Sequence, residues 1–398
     1  MSGLLARYSP LVLVLLLALS FESTGCGGSS SGGSPPPPPP PPPPGLSYAS
    51  PVNIYTYGNH PGSLAIADFN GDGKLDIAVA NFNSNTIAVF LNQGQGTFGA
   101  PVLTPVQIPN GLGAIALGDF NEDGKPDLIA ATISGSQVDL VLLGNGDGTF
   151  TQSSPIPNSF GFLHGRVADL NGDKHLDFVG CSNGNISVAL GNGDGTFQPV
   201  NYLPNGPFPG TYFGCDLGDF NGDGKLDLLA ADYTSDPNLV LFLGNGDGTF
   251  QEPLLISSGN FDPTSLSAGD FSGTGTLDAL VGFELDSASF LSGAGNGTFA
   301  PAVVFYSDPG NGTGTVVLAA DLNNDGKADA LVTDYSYGAL MVTLNSGNGV
   351  SQQSKTYTFG LAPGLADVAV GDLNGDGLPD IVVANAETSE ITVILSQK

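Results

Sequence analysis

The feature that most constrains this chain is a nine-residue pattern that returns at an almost fixed interval. In its fullest form it reads Asp219-Phe220-Asn221-Gly222-Asp223-Gly224-Lys225-Leu226-Asp227. The first aspartates of the copies are Asp68, Asp119, Asp169, Asp219, Asp270, Asp321 and Asp372, spaced 51, 50, 50, 51, 51 and 51 residues apart. So even a period means one supersecondary unit used seven times, each copy packing on its neighbours.

Each copy offers side-chain oxygens at positions 1, 3, 5 and 9, with glycine usual at position 6. Asp and Asn at alternate positions of one backbone curl suit a hard cation such as Ca²⁺, which takes roughly 6–8 oxygen ligands. Glycine at position 6 supplies the positive φ that a tight curl needs. Asp, Asn and Gly also favour ordinary turns, but a plain turn has no need of carboxylates at fixed places in successive copies. Two copies depart from the pattern. Asp169-Leu170-Asn171-Gly172-Asp173-Lys174-His175-Leu176-Asp177 has Lys174 in the glycine position, which predicts binding with some strain. Asp270-Phe271-Ser272-Gly273-Thr274-Gly275-Thr276-Leu277-Asp278 lacks the carboxylate at position 5, which predicts weak binding or none.

The residues between the patterns read as short strands. In the first copy, Ser63 to Asp68 alternates large and small residues, Asp76 to Ala80 and Thr86 to Leu91 are further strands, and Thr97-Phe98 leads to a fourth around Ala100 to Leu103. Polar Gly/Asn turns separate them, and no stretch has a credible helical pattern. This predicts an all-β fold: a seven-bladed β-propeller of four-stranded antiparallel blades. Val52 to Tyr57 matches a fourth strand yet precedes the first loop, while the last copy stops after strands at Ile381–Ala384 and Ile391–Leu395. The N-terminal strand is therefore expected to complete the last blade, which removes two exposed sheet edges. The stretch Gly-Asn-Gly-Asp-Gly-Thr-Phe at 144–150, 191–197 and 244–250 carries one carboxylate per copy and reads as a hairpin turn.

With Gly218-Asp219-Phe220-Asn221-Gly222-Asp223-Gly224-Lys225-Leu226-Asp227 phased in seven copies, the chain resembles the FG-GAP/VCBS repeat family, whose seven-bladed form is the integrin α-subunit propeller. The resemblance implies that each loop joins the first two strands of a blade and binds Ca²⁺ on one face, about six or seven ions in all. Carried over by position, it implies these ligands: Asp68, Asn70, Asp72 and Asp76 with the Lys74 carbonyl; Asp119, Asn121, Asp123 and Asp127; Asp169, Asn171, Asp173 and Asp177; Asp219, Asn221, Asp223 and Asp227; Asp270 and Asp278; Asp321, Asn323, Asp325 and Asp329; and Asp372, Asn374, Asp376 and Asp380.

The N-terminus reads as an address. Arg7 precedes the apolar run Leu11 to Leu19, too short to span a membrane and suited to the core of a secretory signal. Ser23-Thr24-Gly25-Cys26 resembles a bacterial lipobox, with Ser23 where that motif usually has Leu; cleavage by an ordinary signal peptidase is the alternative. The expected organisation is a lipoprotein-type signal over 1–25, a linker over 26–47 and the propeller over 48–398. Cys26 is the expected lipidation site. The linker holds ten prolines, Pro35 to Pro44, which form a stiff rod of roughly 30 Å. It reads as a spacer, with a proline-recognition ligand as the sharper alternative. The expected location is the bacterial outer membrane or cell surface, or secretion if no lipid is attached.

Charge narrows the partners. The chain has 38 acidic against 9 basic residues, a formal net charge of −29. Twenty of the acids are the aspartates at positions 1, 5 and 9 of the seven loops, and seven divalent ions would bring the net charge to about −15. So acidic a chain lacks the Lys and Arg needed to hold a phosphate backbone. Nucleic acid is excluded as a partner, and a membrane is reached only through the lipid anchor. Cys181 and Cys215 align with apolar positions of other copies, Ala80 and Leu64 among them. A disulfide between neighbouring blades is open to them in an oxidising compartment, the sequence leaving its geometry undetermined.

Loops that vary between copies on a repeating scaffold are where specificity resides. On the face away from the metal loops they contribute Phe82, Phe162, Tyr212, Tyr233 and Tyr335 as a candidate ligand face, with gap-filling between blades as the competing role. The expected function is a monomeric binding or adhesion module for an extracellular protein or glycan. The rivals are a polysaccharide-active enzyme or enzyme-associated propeller, and a purely structural envelope protein. No nucleophile-elbow, zinc or phosphate-loop motif is present, and Arg166 is the only arginine outside the signal segment. Catalysis is therefore not expected.

Overall fold

The computed structural model describes residues 46–132, 138–159, 161–182, 184–203, 210–234, 237–284, 287–307, 315–345, 347 and 355–397. The signal segment, Cys26 and the polyproline stretch lie outside the described residues.

Seven four-stranded antiparallel sheets account for most of the described chain, and no helix occurs among the described residues. The first blade runs Pro61–Ala67, Asp76–Asn81, Thr86–Phe90 and Val102–Pro105, in that spatial order. The metal-type loop joins its first two strands, as expected. The first strand of every blade is innermost, and successive inner strands neighbour one another around the ring; Leu365–Gly371 of the seventh blade lies against Pro61–Ala67 of the first.

Burial explains the strand compositions. Second strands such as Asp76–Asn81 and Asp380–Asn385 are buried along their whole length, because both sheet faces meet a neighbouring blade. They accordingly read as continuous runs of Ile, Val and Ala. Fourth strands lie at the rim, and Val102–Pro105 alternates between half-buried and exposed. The core is divided among the seams between blades. Leu64, Ile77, Val79 and Phe90 of the first blade pack with Ala369, Val382, Ile391 and Val393 of the seventh, a cluster of the same kind as at the other seams.

Closure follows the expected plan. Val52–Tyr55 pairs with Glu390–Ile394 and becomes the outer strand of the seventh blade. A second small sheet adds to it, with Ser47 opposite Gln397 and Tyr48 opposite Ser396. Leu46 and Ser47, read from sequence as the end of the linker, thus belong to the body; Leu46 is buried among residues of the sixth and seventh blades. Cys181 and Cys215, left open by the sequence, form a disulfide across the seam between the third and fourth blades.

Candidate metal loops and the opposite face

Each loop is built on its first and last aspartates. At position 1, Asp219 Oδ1 accepts the N–H groups of Gly222 and Asp223 at 2.7 and 3.1 Å, and its Oδ2 accepts that of Gly224 at 2.8 Å. At position 9, Asp227 Oδ2 accepts the Phe220 N–H at 3.0 Å and Oδ1 the Gly244 N–H at 2.8 Å. The last aspartate therefore ties the loop to the end of the third strand of its own blade. All seven position-9 carboxylates, Asp76, Asp127, Asp177, Asp227, Asp278, Asp329 and Asp380, are fully buried. Position 3 closes the curl, with Asn221 Oδ1 accepting from Asp223 N–H at 2.8 Å. Two residues of each loop take positive φ. Position 6 was foreseen; position 4 was not, and it holds Gly71 at 74°, Glu122 at 56° and Asn324 at 56°. Lys174, at position 6 of the third loop, is held at φ 76°, a strained conformation for a side chain with a Cβ.

The loops also stitch the ring. The N–H of Gly148, in the outer turn of the second blade, donates to the Phe69 carbonyl in the first loop at 3.0 Å, and Gly195, Gly248 and Gly297 repeat the contact on Phe120, Leu170 and Phe220. Gly96 closes the set on Leu373 of the seventh loop at 2.9 Å. The Gly-Thr-Phe motif gains a role here that the hairpin reading missed. Its phenylalanine packs edge-on against the aromatic ring of the preceding loop, Phe150 on Phe69 at 5.7 Å and Phe197 on Phe120 at 5.4 Å. The signal was the recurrence of an aromatic both at position 2 and after Gly-Thr. Neighbouring loops touch directly as well, through His175 Nδ1 and Glu122 Oε1 at 2.5 Å and through the Asn324 amide, which donates to the Gly377 carbonyl at 2.6 Å.

The donor set suits a hard cation. Every expected ligand supplies oxygen, and burial raises the position-9 carboxyls, Asp76 and Asp127 to about 6 and Asp329 to about 7. After burial and the opposing backbone hydrogen bonds, the negative charges of Asp72 and Asp68 push Asp76 further up. A cation among these groups would relieve that cost. Position 5 is different. The Lys74 ammonium, 2.6 Å from Asp72, is the main cause holding Asp72 below the usual carboxylate range. Such exposed pairs contribute little stability. Among the described residues no three carboxylate, imidazole or thiolate groups form a cluster able to hold an ion by themselves. The fit rests on the mixed set of carboxylates, Asn carbonyl oxygens and backbone carbonyl.

The opposite face carries the turns between second and third strands and the links between blades. The five aromatics expected there separate into two groups. Phe162 and Tyr212 are each 1 % exposed and belong to the core, which corrects their assignment to a ligand face. Phe162 packs 4.9 Å from Phe178, in room left by Gly165, which stands where the first copy has Leu64. Tyr212 joins the apolar cluster between the third and fourth blades. Phe82, Tyr233 and Tyr335 are half-buried on the face. Phe82 lies edge-on to His60, the Tyr233 hydroxyl donates to Glu284 of the next blade, and the Tyr335 hydroxyl donates to Glu387 at 3.0 Å. Phe261, 67 % exposed, and Tyr337, 56 % exposed, are more accessible than any of these. Their sequence context does not separate them from the buried pair.

At the ring centre Arg166 is buried, and its Nε donates to Asp216 Oδ1 at 2.8 Å; Asp216 Oδ2 accepts the Ala268 N–H at 2.9 Å. These three residues link the inner strands of the third, fourth and fifth blades.

A profile for the FG-GAP-like repeat matches residues 68–130, 119–179, 169–230, 219–281 and 321–383. Integrin alpha-PS3 of Drosophila melanogaster is 31% identical over 146 residues, 30% of this chain and 13% of that protein. Integrin alpha-7 of Mus musculus is 29% identical over 180 residues, 36% of this chain and 15% of that protein. The chain thus spans under a fifth of the length of these relatives. An Agrocybe aegerita lectin, solved to explain its recognition of non-reducing terminal N-acetylglucosamine, superposes with a TM-score of 0.55 at 23% identity over 88% of this chain and 85% of that one. The BP39L lectin of Burkholderia pseudomallei does so with a TM-score of 0.59 at 17% identity over 86% and 96%. At these identities the two lectins establish the fold alone.

Proposed function

The chain belongs to the FG-GAP-like repeat family, and from that premise we propose that it is an exported, surface-anchored, calcium-binding propeller that binds an extracellular protein or glycan. The observation that carries this reading is the division of the ring into two unlike faces. One repeats a single oxygen-lined loop, and the other is where the copies differ. Asp and Asn at positions 1, 3 and 5, the position-9 Asp and the position-7 carbonyl would hold the ion, which would supply positive charge to loops that otherwise crowd carboxylates. The sixfold recurrence of the position-5 carboxylate, including Asp376 where position 7 is Leu378 rather than a cation, favours an ion over simple Lys pairing.

Export is supported by the apolar run before Cys26 and by the Cys181–Cys215 disulfide, which fits an oxidising compartment. Integrin α chains among the relatives and lectins among the similar folds favour a binding role. On this face the exposed rings of Phe261 and Tyr337 offer stacking surfaces, and Glu284 and Glu387, which accept from Tyr233 and Tyr335, bring carboxylates for hydroxyl donors. Catalysis is disfavoured because Arg166 is committed to Asp216 inside the ring.

The test pairs calorimetry with binding. Calcium titration of the purified protein should show about six or seven ions per chain, and an array of glycans and extracellular matrix proteins should show binding that a chelator abolishes. Absence of calcium uptake would remove the reading. Uptake without any captured ligand would favour the purely structural alternative.

A further inference from the structure

We propose that the seventh loop is the latch of the ring: a cation held by Asp372–Asp380 locks both ends of the body in place, and losing it releases the N-terminal strands. This rests on the calcium reading above and goes beyond it, since it gives one of seven similar loops a separate task.

The distinction lies in what each position-9 carboxylate holds. In six loops its Oδ1 accepts the N–H of a residue that continues into the outer turn of the same blade: Asn92, Gly144, Gly191, Gly244, Gly293 or Asn345. In the seventh, Asp380 Oδ1 accepts both the Ser396 N–H at 2.6 Å and the Ser396 hydroxyl at 2.9 Å. Asn374, at position 3, donates its amide to the Ser396 carbonyl at 3.2 Å and to Asp380 Oδ1 at 3.1 Å. Ser396 does not enter a turn. It pairs with Tyr48, and Gln397 pairs with Ser47. The Ala49 N–H continues the zipper onto the Leu395 carbonyl at 2.8 Å. Leu46 then enters the core between the sixth and seventh blades, and Tyr48 sets its ring edge-on to Phe359 at 5.6 Å.

Two expected ligands of the seventh ion, Asn374 and Asp380, are therefore the groups that hold Ser396, and Ser396 holds the entering chain. The ring is completed here by pairing between strands remote in sequence. An ion that orders Asn374 and Asp380 orders this seam with them, and ligand binding to the closed form alone stabilises that form by mass action.

Hydrogen exchange of the full chain tests this, with calcium binding measured alongside. The variants are Asp372→Ala and Asp376→Asn, neither of which removes a bond to Ser396, and Asp219→Ala on the far side of the ring. In calcium, either seventh-loop variant should bind one ion fewer and exchange the amides of residues 46–57 about tenfold faster than wild type, the rate wild type shows in chelator. Asp219→Ala should also lose one ion yet leave residues 46–57 protected. Loss of one ion in a seventh-loop variant with unchanged protection at 46–57 would overturn the latch alone, as would equal loosening by Asp219→Ala. Failure of the wild type to take up calcium would overturn the latch together with the calcium reading. Two substitutions of different severity guard against misreading a variant that fails to fold.

Discussion

The loops beginning at Asp219 and Asp270 have nearly the same shape but not the same chemistry. In both, the first aspartate accepts the position-6 N–H, at 2.8 Å from Gly224 and 2.7 Å from Gly275, and the position-5 N–H, at 3.1 and 3.0 Å. In both, the last aspartate accepts from the position-2 residue at 3.0 Å and from the end of the third strand at 2.8 Å. Between those ends the Asp219 loop has Asn221 and Asp223. The Asp270 loop has a hydroxyl chain, with Ser272 to Thr274 and Thr274 to Thr276 each at 2.8 Å. The curl is thus fixed by backbone and by positions 1 and 9. The carboxylate at position 5 is dispensable for shape, so its presence in the other six loops calls for a different cause.

Four experiments break or sharpen this comparison. Chelation acts on every carboxylate-bearing loop at once and should be the largest effect. With calcium a hundredfold above its dissociation constant, each occupied loop contributes about 2.7 kcal/mol, so the melting temperature should fall by about 10 °C or more. An unchanged midpoint would reduce all seven loops to turns. Next, Asp227→Ala removes the acceptor of two backbone N–H groups and Asp278→Ala that of three, of which the Phe271 N–H keeps the Gly269 carbonyl, so each strands two. Urea unfolding in chelator should show equal losses of about 3 kcal/mol in the two loops, whereas a large inequality would mean that their frames differ.

Exchanging the position-5 residues should separate frame from ligand. Asp223→Thr should lower the calorimetric ion count by one and Thr274→Asp raise it by one, with stability changes of about 2 kcal/mol that appear only in calcium. The same change in chelator would show the carboxylate acting on shape after all. The smallest effect belongs to the third loop. Lys174→Gly should relieve a left-handed side-chain-bearing residue and stabilise the protein by about 1 kcal/mol with or without calcium, as read from thermal or urea unfolding.

Much of this was legible in the sequence because the relevant residues sit at fixed separations on one strand of text. The period of about 50 residues and the phase of the Asp series specify blade count, loop position and the unfinished last blade without any long-range information. What escaped depends on volumes meeting across a seam. Phe162 reads as a loop aromatic until Gly165 and Gly180 are known to leave a hole beside Phe178. Leu46 and Ser47 read as linker because what holds them is remote in sequence: Gln397, the partner of Ser47, is 350 residues away, and Leu46 packs among residues of the sixth and seventh blades. The pairing of Cys181 with Cys215 depends on how close two blades approach, which the strand pattern alone does not determine.

That disulfide gives the ring a direction of failure. Seven noncovalent seams of similar make would have no preferred place to part, but the seam between the third and fourth blades is riveted, and it faces the seventh blade across the circle. Force or denaturant that opens the seventh blade leaves three blades on either side of a covalent pivot. The molecule should then uncoil like a clasped bracelet, from both free ends toward its hinge, and reducing agent should turn that ordered uncoiling into rupture at arbitrary links.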